Sequence, residues 1–189
     1  SAAAGLGGPK VATSLELDGA TLGLVGLGRI GSRVAVAAQA LGMNVVAHDP
    51  GLSSSSVDGV RLVNLDELFR TAHVVSLHAP STPTTRHLID AATIQTMRRG
   101  VYIVNCARGP LIDQEALLAA LEAGQVAGAG LDVTEPEPLP VGHPLLGRPD
   151  VIITPHIASS TAAGRRRLFE HAVDNALAVL AGRPASVVS

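Results

Sequence analysis

Gly26-Leu27-Gly28-Arg29-Ile30-Gly31 is a G-x-G-x-x-G pattern that closes the apolar run Thr21 to Gly26. Apolar residues at helical spacing follow it: Ile30, Val34, Ala37, Ala38 and Leu41, with Gly42 as the stop signal. A strand that turns through glycines into a helix is suited to binding anions. The first N–H groups of the helix lack partners, and its positive dipole end faces the turn. In the dinucleotide form of the pattern each glycine has its own task. Gly26 allows the tight turn, Gly28 lets the backbone approach a pyrophosphate, and Gly31 lets helix and strand pack closely. Arg29 and Ile30 offer backbone N–H groups to the phosphates. The pattern alone is weak, because glycines also make ordinary structural turns. Asp49 strengthens it, eighteen residues after Gly31 and at the end of the next apolar run. A carboxylate there accepts both hydroxyls of an adenosine ribose and repels a 2′-phosphate, which favours NAD over NADP. The plainer reading of Asp49 is a capping or turn residue before Pro50.

A second set of chemically able residues lies further along. Arg108 stands in Asn105-Cys106-Ala107-Arg108-Gly109, just after the apolar run from Val101. Its planar fork suits a carboxylate. Asp132 follows the run Ala127 to Leu131, and Glu137 lies five residues on. His156 ends Thr154-Pro155-His156, after the run from Val151. A histidine titrates near neutrality and suits acid/base work, and a nearby Glu137 would favour its imidazolium form. Taken singly, Arg108 reads equally well as half of a surface ion pair. His156 alone would rank with the other histidines at 48, 73, 78, 87, 143 and 171, as structural or solvated. Cys106 has no base beside it in the sequence and reads as a packed thiol. Convergence sets these residues apart: all fall at or just beyond the ends of expected strands.

Those strands are expected at Thr21 to Gly26, Asn44 to His48, Val74 to His78, Val101 to Asn105, Ala127 to Leu131 and Val151 to Thr154. Helices are expected between them, including Leu65 to Thr71 capped by Asn64, Asp90 to Met97, and Asp113 to Ala123. A long final helix, Ser160 to Ala181, carries Leu168, Ala172, Ala176, Val179 and Leu180 on one face. Alternating strands and helices imply right-handed βαβ units and a doubly wound parallel sheet, an α/β Rossmann domain with helices on both faces. Open sheets of this type bind ligands at the carboxyl ends of their strands. The stretch Thr134 to Pro149 holds Pro136, Pro138, Pro140, Pro144 and Pro149 and must be irregular. Residues 1–16 read as a flexible lead-in and 17–189 as one dinucleotide-binding domain.

Composition excludes several other functions. Hydrophobic residues make up 47% and aromatics only 2%, so the core must be aliphatic. The net charge of −2 and the lack of a basic, aromatic-studded stripe argue against nucleic acid. The run Arg165 to Arg167 reads as an exposed helical face. No apolar stretch approaches a membrane span, and no metal site is expected. A single cysteine fits a reducing compartment such as the cytoplasm.

GLGRIG, HDP, NCARG, LDV followed by Glu137-Pro138, and TPH occur here in one order and spacing. Together they resemble the D-isomer-specific 2-hydroxyacid dehydrogenases, and NCARG is most reminiscent of the phosphoglycerate dehydrogenases among them. The resemblance runs from Leu17 to the region of Asn175 to Gly182. It implies hydride transfer between NAD and C2 of a small 2-hydroxy or 2-oxo acid. It further implies that Arg108 binds substrate, His156 is the acid/base, Glu137 orients and charges it, and Asp132 holds the nicotinamide end. Cys106, Ala107, His78, Ala79 and Pro80 would line the cofactor, and the full-length form would be a homodimer. Three departures stand out. His48 takes the place of a common Tyr, Ala79 that of a common hydroxyl residue, and little of the family's preceding substrate domain is present. The isolated chain is therefore expected to bind NAD but turn over poorly. Two alternatives share the fold: a non-enzymatic NAD-sensing module of corepressor type, and an NAD-using, homocysteine-forming hydrolase, which the Arg, Glu and His pattern fits poorly.

Overall fold

A computed structural model describes residues 14–183. The expected lead-in lies outside the described residues except for 14–16, which form no regular element. The elements run β1 (Thr21–Val25), α1 (Gly31–Ala40), β2 (Asn44–His48), β3 (Arg61–Leu62), α2 (Leu65–Thr71), β4 (Val74–Leu77), α3 (Ala91–Thr96), β5 (Val101–Asn105), α4 (Gln114–Glu122), β6 (Val126–Leu131), β7 (Val151–Ile153) and α5 (Ala162–Leu180). The seven strands form one sheet in the order β3-β2-β1-β4-β5-β6-β7, with every neighbouring pair parallel. Strand order therefore reverses direction between β1 and β4. That switch point opens a crevice beyond the carboxyl ends of both strands.

The first strand shows why helices cover both faces. Side chains alternate across a strand. Leu22 and Leu24 pack with Ala35 and Ala38 of α1. Val25 packs with Leu68 and Phe69 of α2. Gly23 also faces α2, where an added Cβ would collide with Leu68 and Ala72. The second face continues through Ile94 of α3 and Leu117 and Leu121 of α4, so the larger core is Val, Ile, Leu and Ala apart from Phe69 and Met97. Capping side chains fix where helices start. The Asn64 side chain accepts from the Glu67 amide at 2.8 Å, and Asp90 from the Thr93 amide at 2.7 Å. Asp113 accepts from the Glu115 and Ala116 amides at 3.0 and 3.2 Å. Such caps contribute about 1 kcal/mol each.

The structure adds two elements that periodicity did not signal. Strand β3 has only two residues, too few to show an alternation. A 3-10 turn over Gly109–Leu111 follows Arg108 directly. It also sets α5 apart. The apolar stripe expected on this helix exists, but it does not join the core. No residue of α5 is buried, and Leu168 and Leu180 are 67% and 83% exposed.

Candidate cofactor and catalytic site

Gly26 leaves β1 with φ +98°, a conformation open to glycine, and an added Cβ would strike the backbone carbonyl of His78. The two strands at the switch point approach here, where the His78 amide donates to the Val25 carbonyl at 2.7 Å. A Cβ on Gly31 would collide with the Gly26 carbonyl, so this glycine seats α1 against the turn. Gly28 is different: nothing lies within 4 Å of its would-be Cβ. Its lack of a side chain serves no internal packing and keeps the mouth of the crevice open. Among the described residues, the amides of Gly28, Arg29 and Ile30 have no hydrogen-bond partner. They are unpaired donors at the positive end of α1.

Asp49 braces this turn. Its Oδ2 accepts from the Leu27 amide at 2.9 Å, and its Oδ1 from the Gly51 amide at 3.0 Å. Each oxygen thus keeps capacity for a further donor. The brace itself was not legible in the sequence, because it spans 22 residues and depends on β1 and β2 lying side by side.

A cleft of about 430 Å³ lies beyond β1, β4 and β5, lined by Ile30, His78, Ala79, Pro80, Ser81, Cys106, Ala107 and Arg108. The His78 ring packs inward and pairs with the Ser76 hydroxyl at 3.0 Å, and burial lowers its pKa. Cys106 lies exposed at the rim, yet the protein around its sulfur and the charge of Asp132 push the thiol's pKa up. A larger hollow of about 670 Å³ occurs at the opposite edge, beside Thr21, Asn44 and Arg61, and gathers none of the glycine-turn or strand-end residues.

Arg108 is presented by a loop that the buried side chain of Asn105 shapes. Asn105 donates to the Arg108 carbonyl at 2.9 Å and accepts from the Ala107 amide at 3.0 Å. The Arg108 side chain is exposed and makes one contact, from Nη1 to the Ala107 carbonyl at 2.6 Å. Its remaining donors have no hydrogen-bond partner among the described residues. Gly109 follows because the chain at Thr134–Glu135 lies on it, and a Cβ there would collide with the Thr134 carbonyl.

Beyond β6 and β7 the chain is held by Asp132, only 5% exposed. Its Oδ1 accepts from the Thr154 hydroxyl at 2.5 Å and the Ile157 amide at 2.9 Å, and its Oδ2 from the Ala158 amide at 2.9 Å. Burial pushes this carboxyl up, but the three hydrogen bonds and the His156 charge outweigh it, leaving the pKa below the usual range. The His156 amide donates to the Asp132 carbonyl at 2.9 Å. These contacts fix a turn in which His156 adopts φ +51°, an uncommon conformation for a side-chain-bearing residue. His156 Nδ1 then meets Glu137 Oε1 at 2.7 Å, with both side chains partly exposed. The pairing leaves Nε2 without a described partner.

The expected residues thus share one edge of the sheet. Gly26, Gly28, Arg29, Ile30 and Gly31 follow β1, Asp49 follows β2, and His78, Ala79 and Pro80 follow β4. Cys106, Ala107 and Arg108 follow β5, Asp132 follows β6, and His156 follows β7. Glu137 reaches that edge through the irregular segment after β6. Sequence reasoning missed Asn105, Gly109 and Thr154 as supports. Of these, only the glycine within NCARG carried any signal of a special backbone.

Fold and edge together define a dinucleotide-binding Rossmann domain carrying an outward arginine and a histidine–glutamate pair. The family model for "D-isomer specific 2-hydroxyacid dehydrogenase, NAD binding domain" matches residues 4–158. The chain belongs to that family. It is 44% identical over 179 residues to a hydroxypyruvate reductase of Blautia hydrogenotrophica, covering 93% of this chain and 55% of that protein. It is 44% identical over 167 residues to a D-3-phosphoglycerate dehydrogenase of Synechocystis, covering 87% of this chain and 30% of that one. The crystal structure of a glyoxylate reductase from Paecilomyes thermophila superposes with a TM-score of 0.88 at 38% identity, covering 94% of this chain and 55% of that chain. The chain thus spans about half the length of the reductases it matches, or less for the phosphoglycerate dehydrogenase. Among the described residues no helix is long and apolar enough to cross a membrane, and no His, Cys, Asp and Glu cluster could hold a metal ion.

Proposed function

We propose that this chain is the cofactor-binding half of a D-2-hydroxyacid dehydrogenase and carries its catalytic side chains. The reaction is hydride transfer between NAD and C2 of a small 2-hydroxy or 2-oxo acid. The carrying observation is the His156–Glu137 pair at 2.7 Å, on the same sheet edge as the glycine turn and Arg108. The residues present fit NAD. Space beside Gly28 and the unpaired amides of Gly28, Arg29 and Ile30 suit a pyrophosphate. The free lone pairs of Asp49 suit ribose hydroxyls, and the cleft from His78 to Arg108 would take the nicotinamide end. NAD supplies the hydride chemistry when bound. Asp132 keeps a spare lone pair at Oδ2, but its main work is holding the His156 turn.

The protein's part is positioning and proton handling. Arg108 pairs its fork with the substrate carboxylate and polarises the adjacent carbonyl. His156 holds a proton at Nε2 and gives it to the alkoxide as the carbonyl is reduced, or takes it back in the reverse direction. Glu137 accepts from Nδ1, which fixes the ring orientation and leaves Nε2 for the substrate. Hydroxypyruvate and glyoxylate, the substrates named for two of the matched reductases, are the first to test. A homodimer accords with the exposed apolar surface of α5, and a reducing, cytoplasmic setting with the lone cysteine.

The test is NADH oxidation by these 2-oxo acids, in the form of the protein that turns over. His156→Gln is expected to lower kcat by about 10²–10⁴, the usual contribution of a general acid/base. Normal rates in that variant would sink the assignment.

A further inference from the structure

The segment that carries Glu137 has no regular structure, yet its carboxylate meets His156 at 2.7 Å. Something must hold it, because an irregular strand-to-strand connection has no ladder of its own. The contacts gather one step upstream, on Glu135. Its Oε1 accepts from Arg86 Nη1 at 2.9 Å, and its Oε2 lies 3.5 Å from His87 Nε2. Gln114, in the first turn of α4, grips the backbone of the same residue. Its Nε2 donates to the Glu135 carbonyl, and its Oε1 accepts from the Glu135 amide at 3.3 Å. The Thr134 hydroxyl closes the next step by donating to the Pro136 carbonyl at 2.8 Å.

The loop that supplies Arg86 and His87 is itself fixed. The amides of His87 and Ile89 donate to the carbonyls of Pro110 and Leu111 at 2.8 and 3.0 Å. Ile89 also bridges Ile112. The loop carrying Arg86 and His87 is therefore tied to the turn just after Arg108. Gly109 in that turn lies directly beneath Thr134 and Glu135, with no room for a Cβ. Pro136 and Pro138 fix φ on both sides of Glu137, so little freedom separates Glu135 from the carboxylate that matters. Placing Glu135 therefore places Glu137 relative to Arg108.

We propose that Glu135, clasped by Arg86, His87 and Gln114, is a positioning residue that holds the Glu137 carboxylate against His156 and sets its distance from Arg108. This rests on the reading of Glu137 and His156 as the acid/base pair. Glu135 itself does not touch substrate or cofactor; it acts through Glu137. The Arg86 hydrogen bond and charge, with His87 behind them, hold the Glu135 carboxyl below its usual range against the effect of burial. A plain surface ion pair would stabilise the fold slightly and leave the His156 ring unaffected.

The test reads the ring nitrogens of His156 in this chain, by NMR through the carbon-bound ring protons, with His156→Gln for assignment. Glu137→Gln sets the full shift expected when the pair is lost. Glu135→Gln and Arg86→Gln are each expected to move the nitrogen signals in the same direction by at least half that amount. Arg86→Lys should restore at least half of the loss. Backbone amide spectra confirm that each variant is folded, which is expected because both side chains of the ion pair are partly exposed. Unmoved His156 signals in Glu135→Gln and Arg86→Gln, with the full shift present in Glu137→Gln, would overturn the positioning role alone. An unmoved signal in Glu137→Gln would instead strike the acid/base pair, and the proposal with it.

Discussion

The two halves of the sheet edge are built by different means. Around β1 and β2 the site is made of backbone: glycines without side chains, unpaired amides, and one carboxylate bracing the turn. Around β5, β6 and β7 it is made of side chains presented by backbone that other side chains hold in place. Asn105 shapes the Arg108 loop, Asp132 pins the His156 turn, and Glu135 anchors the approach to Glu137. A phosphate-binding surface needs donors in a fixed arc, which a strand–turn–helix supplies locally. Proton transfer needs two or three side chains within hydrogen-bond reach, and they come from separate strand ends. The first task is solved mainly by short-range geometry, with Asp49 as its one long-range brace, and the second mainly by long-range bracing.

That contrast can be broken most forcefully at the glycines. Gly26→Ala should cost about 2–4 kcal/mol in denaturant unfolding, from a positive-φ alanine and a clash with the His78 carbonyl. Gly28→Ala should leave stability within about 0.5 kcal/mol, since its Cβ meets nothing, while weakening NAD binding at least about tenfold, or 1.4 kcal/mol. Unchanged NAD affinity in Gly28→Ala, read by calorimetry, would show that the cofactor does not approach there.

A smaller effect is expected on the braced side. Asp132→Asn replaces an acceptor with an amide that must face a backbone donor, and should cost about 1.5–3 kcal/mol. Asp132 has a depressed folded pKa, so the unfolded chain binds its proton more readily. Its contribution is present above the ordinary aspartate value of about 3.9 and is lost as pH falls through the lower folded value. The thermal midpoint of Asp132→Asn should accordingly fall less steeply with acid than that of the wild type. Equal slopes would show that this carboxylate does not govern the turn.

The mildest change concerns Cys106, where the halves meet in one cleft. Its thiol pKa is raised by surrounding protein and by Asp132, so alkylation at neutral pH should run several-fold slower than for a free thiol. Saturating NAD should slow it further. Identical rates with and without NAD would remove Cys106 from the cofactor's surroundings.

Legibility followed the same division. The glycine turn, α1 and the strands from β1 to β7 other than β3 could be read from apolar runs and glycine spacing, because each is decided within about ten residues of chain. Asn64 could be named as a cap for the same reason. Asp132 was visible as a strand-end carboxylate, but its bonds to Thr154, Ile157 and Ala158 were not, since they join residues 22 to 26 apart. The role of α5 was likewise hidden. An apolar stripe shows that a helix can be covered, and the fold shows that the other described residues do not bury it.

What the sequence determined alone was a parallel α/β sheet, a dinucleotide turn, and the identity of the residues at the strand ends. Local sterics and hydrophobic periodicity suffice for those. Only the tertiary structure decided that His156 meets Glu137 at 2.7 Å and that Gly109 must remain bare beneath Thr134. It also turned Asp49 from an isolated carboxylate into a brace on the glycine turn. Each of these depends on strands adjacent in the sheet but distant in the chain, and spacing along one dimension carries no measure of that adjacency.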